Sequence, residues 1–286
     1  MIVVLGSNGM LGSDVLKELT DKKFPVVGLT RQDVDICNEL GVYKVLKKHR
    51  PAIVINCVAM TNVDQCEEVP ELANRVNGDA VRTLAMACRR VDAKLVHIST
   101  DYVFDGCKGE PYTENDDVGP INQYGVSKLI GERHAIDNGG IVLRVQWLFG
   151  AKRPNFVDRV VDAVMSESTI RVSRDQIGSL CSTEFLAKII MDASWRMSKS
   201  GVYHLTHDDF STRYDAARYI VAGIGGDPDE VIEPVEGVSF GKAKRPLNTS
   251  MSNRKIMDVL GYKTLYSWKL DVKSYIETKY KMRMKT

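Results

Sequence analysis

A tyrosine and a lysine four positions apart can exchange a proton with a substrate oxygen when they share a helix face. The sequence holds this spacing three times, as Tyr43 with Lys47, Tyr124 with Lys128, and Tyr275 with Lys279. About one such match arises by chance at these residue frequencies, so context has to choose. Tyr43 lies on a helical stretch before the third strand and Tyr275 in a basic tail, and neither follows a strand end that carries hydroxyl groups. Tyr124 does: a strand ends in His97-Ile98-Ser99-Thr100-Asp101, a loop follows, and Pro120-Ile121-Asn122-Gln123 leads into the helix that bears Tyr124 and Lys128. Positions i and i+4 share one helix face. A free phenol has a pKa of about 10, and an ammonium beside it favours the phenolate, which makes proton exchange feasible near neutrality. Thr100 would hydrogen-bond the same substrate oxygen. The plain alternative is a packed tyrosine and a solvated lysine.

A proton donor of this kind works beside a redox cofactor, and the start of the chain offers a place for one. Gly6-Ser7-Asn8-Gly9-Met10-Leu11-Gly12 follows the first apolar run directly and opens a helical pattern. Glycines there permit a tight turn and let backbone N–H groups, with Asn8, Met10 and Leu11 among them, approach a pyrophosphate at the helix N-terminus. The spacing is G-x-x-G-x-x-G, as in the extended short-chain reductases that this turn resembles. At the end of the second strand an NAD site normally places an acid on the ribose 2′-hydroxyl, but this sequence has Thr30 and Arg31. A guanidinium suits a 2′-phosphate, so NADPH is expected over NADH, with NADH kept as the alternative. Asp35 and Ile36 are candidates for the adenine side. Cys57, Ala59 and Thr61 leave the third strand where the middle of the cofactor would pass, and Ile98, Tyr124 and Lys128 stand at its reactive end.

The elements that must hold these residues alternate. Strand candidates at 2–5, 26–29, 53–58, 95–98 and 141–145 are continuous apolar runs separated by helical patterns. Such runs are buried on both faces, and strands separated by helices pair in parallel through right-handed crossovers. The fold class is therefore α/β, a doubly wound parallel sheet of Rossmann type, with a smaller C-terminal α/β lobe for the substrate. Residues 1–150 read as the cofactor-binding domain, with returns from the later half, and 151–286 mainly as the substrate lobe. The lobe shows helical segments at 156–165, 183–195 and 212–222, strand candidates at 170–172 and 202–205, and a closing helix at 253–260 capped by Gly261.

Several function classes are excluded by composition. Lys plus Arg (39) nearly balance Asp plus Glu (37), so no net field points to nucleic acid or a membrane surface. Lys279, Lys281, Arg283 and Lys285 read as a solvated tail. The opening apolar run is too short for a signal or a span, and a cytoplasmic protein is expected. Six cysteines without a C-x-x-C pair argue against a zinc site and a disulfide framework.

With those residues in view, the sequence resembles the dTDP-4-dehydrorhamnose reductases within the extended short-chain dehydrogenase/reductases. The similarity is carried by Ser99-Thr100-Asp101-Tyr102-Val103-Phe104-Asp105-Gly106, Gly109-Glu110-Pro111-Tyr112 and Tyr124-Gly125-Val126-Ser127-Lys128 with Gly131-Glu132. It continues through Leu143-Arg144 and Trp147 to Arg245-Pro246 and Asn248. The resemblance implies hydride transfer to the C4 ketone of a dTDP-6-deoxy-hexulose, giving dTDP-L-rhamnose. It makes Tyr124 the proton donor, Lys128 the group that lowers its pKa and holds the nicotinamide ribose, and Thr100 the orienter of the carbonyl. Asp101, Tyr102 and Trp147 fall on the substrate side. Cys107, where Thr is common, and Gln146, where a small hydroxyl residue is usual, depart from the pattern near the inferred site. Some members bind Mg²⁺ through glutamates at a dimer interface. Asp14 stands near the first of those positions, no metal is expected, and a homodimer is the assembly left open.

Two other readings compete. One is a reductase or epimerase of another nucleotide sugar; dehydration is disfavoured because Tyr102, not a second acid, follows Thr100-Asp101. The other is a non-catalytic subunit resembling the regulatory β subunit of methionine adenosyltransferase. From charge alone, Arg174 and Arg245 are candidates for a diphosphate contact, with surface salt bridging as the alternative.

Overall fold

The computed structural model describes residues 1–236 and 241–285. Its central layer is one sheet built from β1 (Ile2–Leu5), β2 (Val26–Leu29), β3 (Ile53–Asn56), β4 (Lys94–Thr100), β5 (Ile141–Val145) and β6 (Gly201–His204). The strand order is β6-β5-β4-β3-β1-β2, with every pairing parallel. Helices α1 (Met10–Asp21), α2 (Glu39–His49), α3 (Ala80–Arg90) and α4 (Gln123–Asp137) connect the earlier strands. The later half adds α5 (Phe156–Met165), α6 (Thr183–Arg196), α7 (Arg213–Gly223), α8 (Arg254–Leu260) and α9 (Trp268–Tyr280).

The apolar runs of β1, β3 and β5 are buried throughout because helices cover both faces of the sheet. Ile2, Val4, Ile53 and Ile55 pack with α1, α6 and α8, while Val3, Leu5 and Val54 pack with α2 and α3. The chain runs from β1 outward to β2, then crosses β1 to reach β3 and continues to β6 on that side. This reversal opens a crevice beyond the C-terminal ends of β1 and β3, the place where such sheets bind ligands. A separate core of Phe149, Val160, Ile220 and Trp268 holds α5, α7 and α9 together as a second lobe.

Most segment expectations match within a residue or two, and the exceptions have physical causes. β3 stops at Asn56 because residues 57–61 leave the sheet to line the crevice. β4 runs longer, since β3 and β5 flank it on both sides. The strand expected at 202–205 pairs with β5 in the main sheet, and the helix expected at 183–195 packs on α1 over one face of it, so both belong to the sheet domain and not to the second lobe. The basic tail is not solvated throughout. Lys279 lies in α9 and pairs with the buried carboxylate of Asp158 at 2.8 Å, Tyr275 donates to the same oxygen at 2.7 Å, and Met284 is buried. No helix among the described residues is long and apolar enough to cross a membrane.

Candidate active site

The glycine turn is shaped by contacts that only a missing side chain permits. Gly6 has φ +74°, the left-handed region that favours glycine, and its N–H donates to the Leu29 carbonyl at 2.9 Å, tying the turn to the end of β2. A Cβ on Gly12 would stand 2.2 Å from the Gly6 carbonyl oxygen, so α1 abuts the turn. Gly9 caps α1 in extended conformation without a side-chain hydrogen bond. The first amide N–H groups of α1 therefore have no intrahelical partner, and with the helix dipole they form an anion seat. This is the donor set a pyrophosphate requires.

A cleft of about 1120 Å³ runs past that seat across the C-terminal ends of the strands. The turn lines it with Gly6, Asn8, Gly9, Met10 and Leu11. Gly12 does not line it; its role is the close approach of helix to turn, which places it behind the surface. Thr30, Arg31, Asp35 and Ile36 line one end, after β2 at the sheet edge. Arg31 is exposed and makes no ion pair among the described residues, whereas Asp33 is held by the Thr30 N–H and hydroxyl at 2.8 Å each. Arg75, unforeseen in the sequence, also lines the cleft. Cys57, Ala59, Thr61 and Ile98 line the middle, where Asn77 clamps the segment by hydrogen bonds to both the N–H and the carbonyl of Met60. A separate cavity of about 320 Å³ beside Lys188, Tyr262 and Lys279 contains none of the expected site residues.

The chemistry-bearing residues meet at the far end. Asn122 caps α4 by accepting the Gly125 N–H at 2.8 Å, which sets the helix start and aims Tyr124 and Lys128 into the cleft beside Thr100, Asp101 and Tyr102. Thr100 lines the cleft beside Tyr124, and the Tyr102 ring meets the Tyr124 ring edge-on at 5.9 Å. Burial pushes the Tyr124 pKa above that of a free phenol, partly offset by the neighbouring Thr100 hydroxyl. The lowering expected from Lys128 does not prevail over burial. The Lys128 Nζ is buried and donates to the Ile98 carbonyl at 2.6 Å, and burial pulls its own pKa down to about 8. Asp101 is buried too, accepting the Thr100 hydroxyl at 3.0 Å and the Thr249 hydroxyl at 2.5 Å, and burial raises it to about 6.

Opposite these residues stands Trp147, buried and with φ +42°. A left-handed conformation at a bulky residue is strained by about 1–3 kcal/mol and concentrates at ligand clamps. The Arg213 guanidinium lies 3.8 Å over the Trp147 ring and 4.7 Å from the Phe156 ring. It makes no ion pair or side-chain hydrogen bond among the described residues, and burial lowers its pKa to about 10. A half-buried cation without an ion-pair partner among the described residues, lining the cleft, is suited to an anionic ligand.

The comparisons with known proteins agree with this geometry. Residues 1–281 match the family described as RmlD substrate binding domain. A dTDP-4-dehydrorhamnose reductase of Streptomyces griseus is 35% identical over 275 residues, covering 93% of this chain and 90% of that protein. The chain belongs to the dTDP-4-dehydrorhamnose reductase family. Another relative, a dTDP-4-keto-6-deoxy-D-glucose reductase of Streptomyces niveus, is 40% identical over 232 residues, 80% of each chain. Among solved structures, a Bacillus anthracis dTDP-4-dehydrorhamnose reductase in complex with NADP superposes with TM-score 0.88 at 30% identity, covering 97% of both chains.

Placed against the family pattern, the remaining expectations divide. Gln146 is buried in the cleft lining and donates to the Thr206 hydroxyl at 2.7 Å. Cys107 is exposed and does not line the cleft. Neither arginine proposed for a diphosphate lines it either. Arg245 is held by Asp64 at 2.9 Å, and Arg174 lies over the Tyr214 ring. Arg213 lines the cleft instead, and nothing local in the sequence marks it. The Asp14 carboxylate accepts the Thr183 hydroxyl, and no group of three or more His, Cys, Asp or Glu among the described residues is placed to hold a metal ion.

Proposed function

We propose that this member of the family reduces the C4 ketone of a dTDP-6-deoxy-4-hexulose with NADPH, forming dTDP-L-rhamnose. The observation that carries the reading is the gathering of Thr100, Tyr124 and Lys128 in the same cleft as the glycine-turn anion seat. Residues 1–150 contribute most of the cofactor side, and the lobe from 151–286 contributes Phe156 and Arg213 to the sugar-nucleotide side. Gly6, Gly9 and the first turn of α1 would hold the pyrophosphate, and Arg31 with Arg75 would face the adenosine end. Bound there, NADPH supplies the hydride.

The chain's own residues supply orientation and the proton. Thr100 aligns the ketone oxygen, and Tyr124 donates its phenolic proton to that oxygen as negative charge develops on it. A phenol whose pKa is raised by burial remains protonated at neutral pH, the form that a donor in the reducing direction needs. Lys128 at about 8 is largely an ammonium near pH 7 and stabilises the phenolate left behind. Trp147 and Arg213 frame the sugar and its diphosphate, and the half-buried guanidinium gains an anion there. Free cysteines fit a reducing compartment, and the reading places the enzyme in the cytoplasm.

NADPH oxidation with dTDP-6-deoxy-L-lyxo-4-hexulose tests the proposal, with dTDP-4-keto-6-deoxy-D-glucose as a second arm because one relative carries that name. Turnover of the first substrate supports the reading, and turnover of the second alone reassigns the sugar. Tight NADPH binding with no turnover of either, together with co-purification of a methionine adenosyltransferase, would replace it by a regulatory subunit.

A further inference from the structure

Behind Lys128 lies a line of two buried side chains that the proton-donor scheme leaves unused. Asn56 ends β3, His97 sits on β4, and both are fully buried. Asn56 Nδ2 lies 3.1 Å from His97 Nδ1, and His97 Nε2 lies 3.5 Å from Lys128 Nζ. The Asn56 amide has its orientation fixed from outside, because its Oδ1 accepts the Val58 N–H at 3.1 Å. The atom turned toward the imidazole is therefore Nδ2, a donor, and it requires a lone pair on His97 Nδ1. A neutral imidazole with its lone pair on Nδ1 carries its proton on Nε2. Burial, and then the charge of Lys128, keep His97 neutral, so no second ring proton enters.

His97 thus aims an N–H at Lys128. The lysine nitrogen is also anchored by the Ile98 carbonyl, to which it donates. An ammonium in this position meets a donor where it needs an acceptor, whereas a neutral amine can accept the His97 N–H and still donate to Ile98. The other titratable groups near Lys128 are Cys57 beyond β3 and, on its own helix, Tyr124 and Glu132. Glu132 is already engaged by Arg144 at 2.7 Å.

We propose that Asn56 and His97 are positioning residues for Lys128, fixing the imidazole as its Nε2–H tautomer so that the lysine nitrogen is held in place and its grip on its proton is loosened. This rests on the reading of Lys128 as the partner of Tyr124. Asn56 acts through His97, and His97 acts through Lys128; neither lines the cleft.

Long-range ¹H–¹⁵N spectra of the full chain, labelled at histidine nitrogens, read the tautomer directly. The expected result is a protonated Nε2 and a bare Nδ1 on His97 from about pH 6 to 9. Asn56→Asp places a carboxylate against Nδ1, which draws the ring proton there and turns a lone pair toward Lys128. In that variant the high-pH loss of kcat/KM moves up by about one pH unit or more, while KM for NADPH stays within about threefold. A wild-type His97 protonated on Nδ1 overturns the proposal, and so does a reversed tautomer in Asn56→Asp with an unmoved pH limb. Where Asn56→Asp fails to fold, the wild-type spectrum still decides. Tyr124→Phe in the same assay separates the two claims: full turnover there refutes the proton-donor reading and leaves the tautomer result standing on its own.

Discussion

Gly12→Ala tests how the cofactor seat is built, because Gly12 touches no part of the cleft. The new methyl carbon would stand 2.2 Å from the Gly6 carbonyl oxygen and 2.8 Å from its carbon, where ordinary contact begins at 3.4 Å. Both obstacles are backbone, so α1 and the turn must part by roughly 1 Å, in the range where overpacking costs about 1–3 kcal/mol. The parting moves the first N–H groups of α1 away from the anion they face. A hydrogen bond to a charged group contributes about 1.5–3 kcal/mol, so weakening one of them should raise the Kd for NADPH by about 10–100-fold. Tyr124 and Thr100 stand on α4 and β4, so kcat at saturating NADPH should stay within about threefold. Fluorescence titration with NADPH gives the Kd, and urea unfolding gives the stability. A variant that binds NADPH within about twofold of wild type, though folded, would refute the argument that this close approach positions the anion seat.

Arg213→Leu should raise KM for the nucleotide sugar by about 10–150-fold, the loss of one charge-assisted contact, and leave the Kd for NADPH unchanged; an unaltered KM removes Arg213 from the substrate side. Arg31→Ala should weaken NADPH binding by about tenfold and leave NADH binding nearly as it was, measured by paired titrations; equal losses for both would contradict a 2′-phosphate contact. Asp101 titrates at about 6 in the fold, above its unfolded value, so ionising it opposes folding above that pH. The penalty fades as pH falls through about 6 and is gone below about 4. Asp101→Asn should therefore stabilise the protein by about 1–3 kcal/mol at pH 8 and little at pH 4, and equal effects at both pH values would contradict a buried, strained carboxylate.

What the sequence disclosed was what is local. Tyr124 and Lys128 could be chosen because a helix brings i and i+4 together and the hydroxyl-bearing strand end lies only a short loop away. The ends of β1, β2, β5 and α5 were readable from continuous apolar runs and helical period. Distant pairings were not. Residues 201–204 form a recognisable strand, but no pattern in them names β5 as the neighbour, so the strand was assigned to the second lobe. Arg213 enters the cleft only through the packing of that lobe against Trp147, 66 positions earlier in the chain. The electrostatics of Lys128 were likewise hidden, because spacing predicts that it approaches the phenol but not that the Ile98 carbonyl and His97 hold its nitrogen. Lys279 looked like a solvated charge because its partner, Asp158, lies on a different helix.

The central claim is that Tyr124 delivers the proton to the sugar C4 oxygen. Single-turnover NADPH oxidation by Tyr124→Phe, with cofactor and dTDP-6-deoxy-L-lyxo-4-hexulose both saturating, tests it most directly. Hydride transfer should slow by about 10²–10⁴-fold with the Kd for NADPH unchanged, because only the phenolic O–H is removed. Transfer within about threefold of the wild-type rate would contradict it.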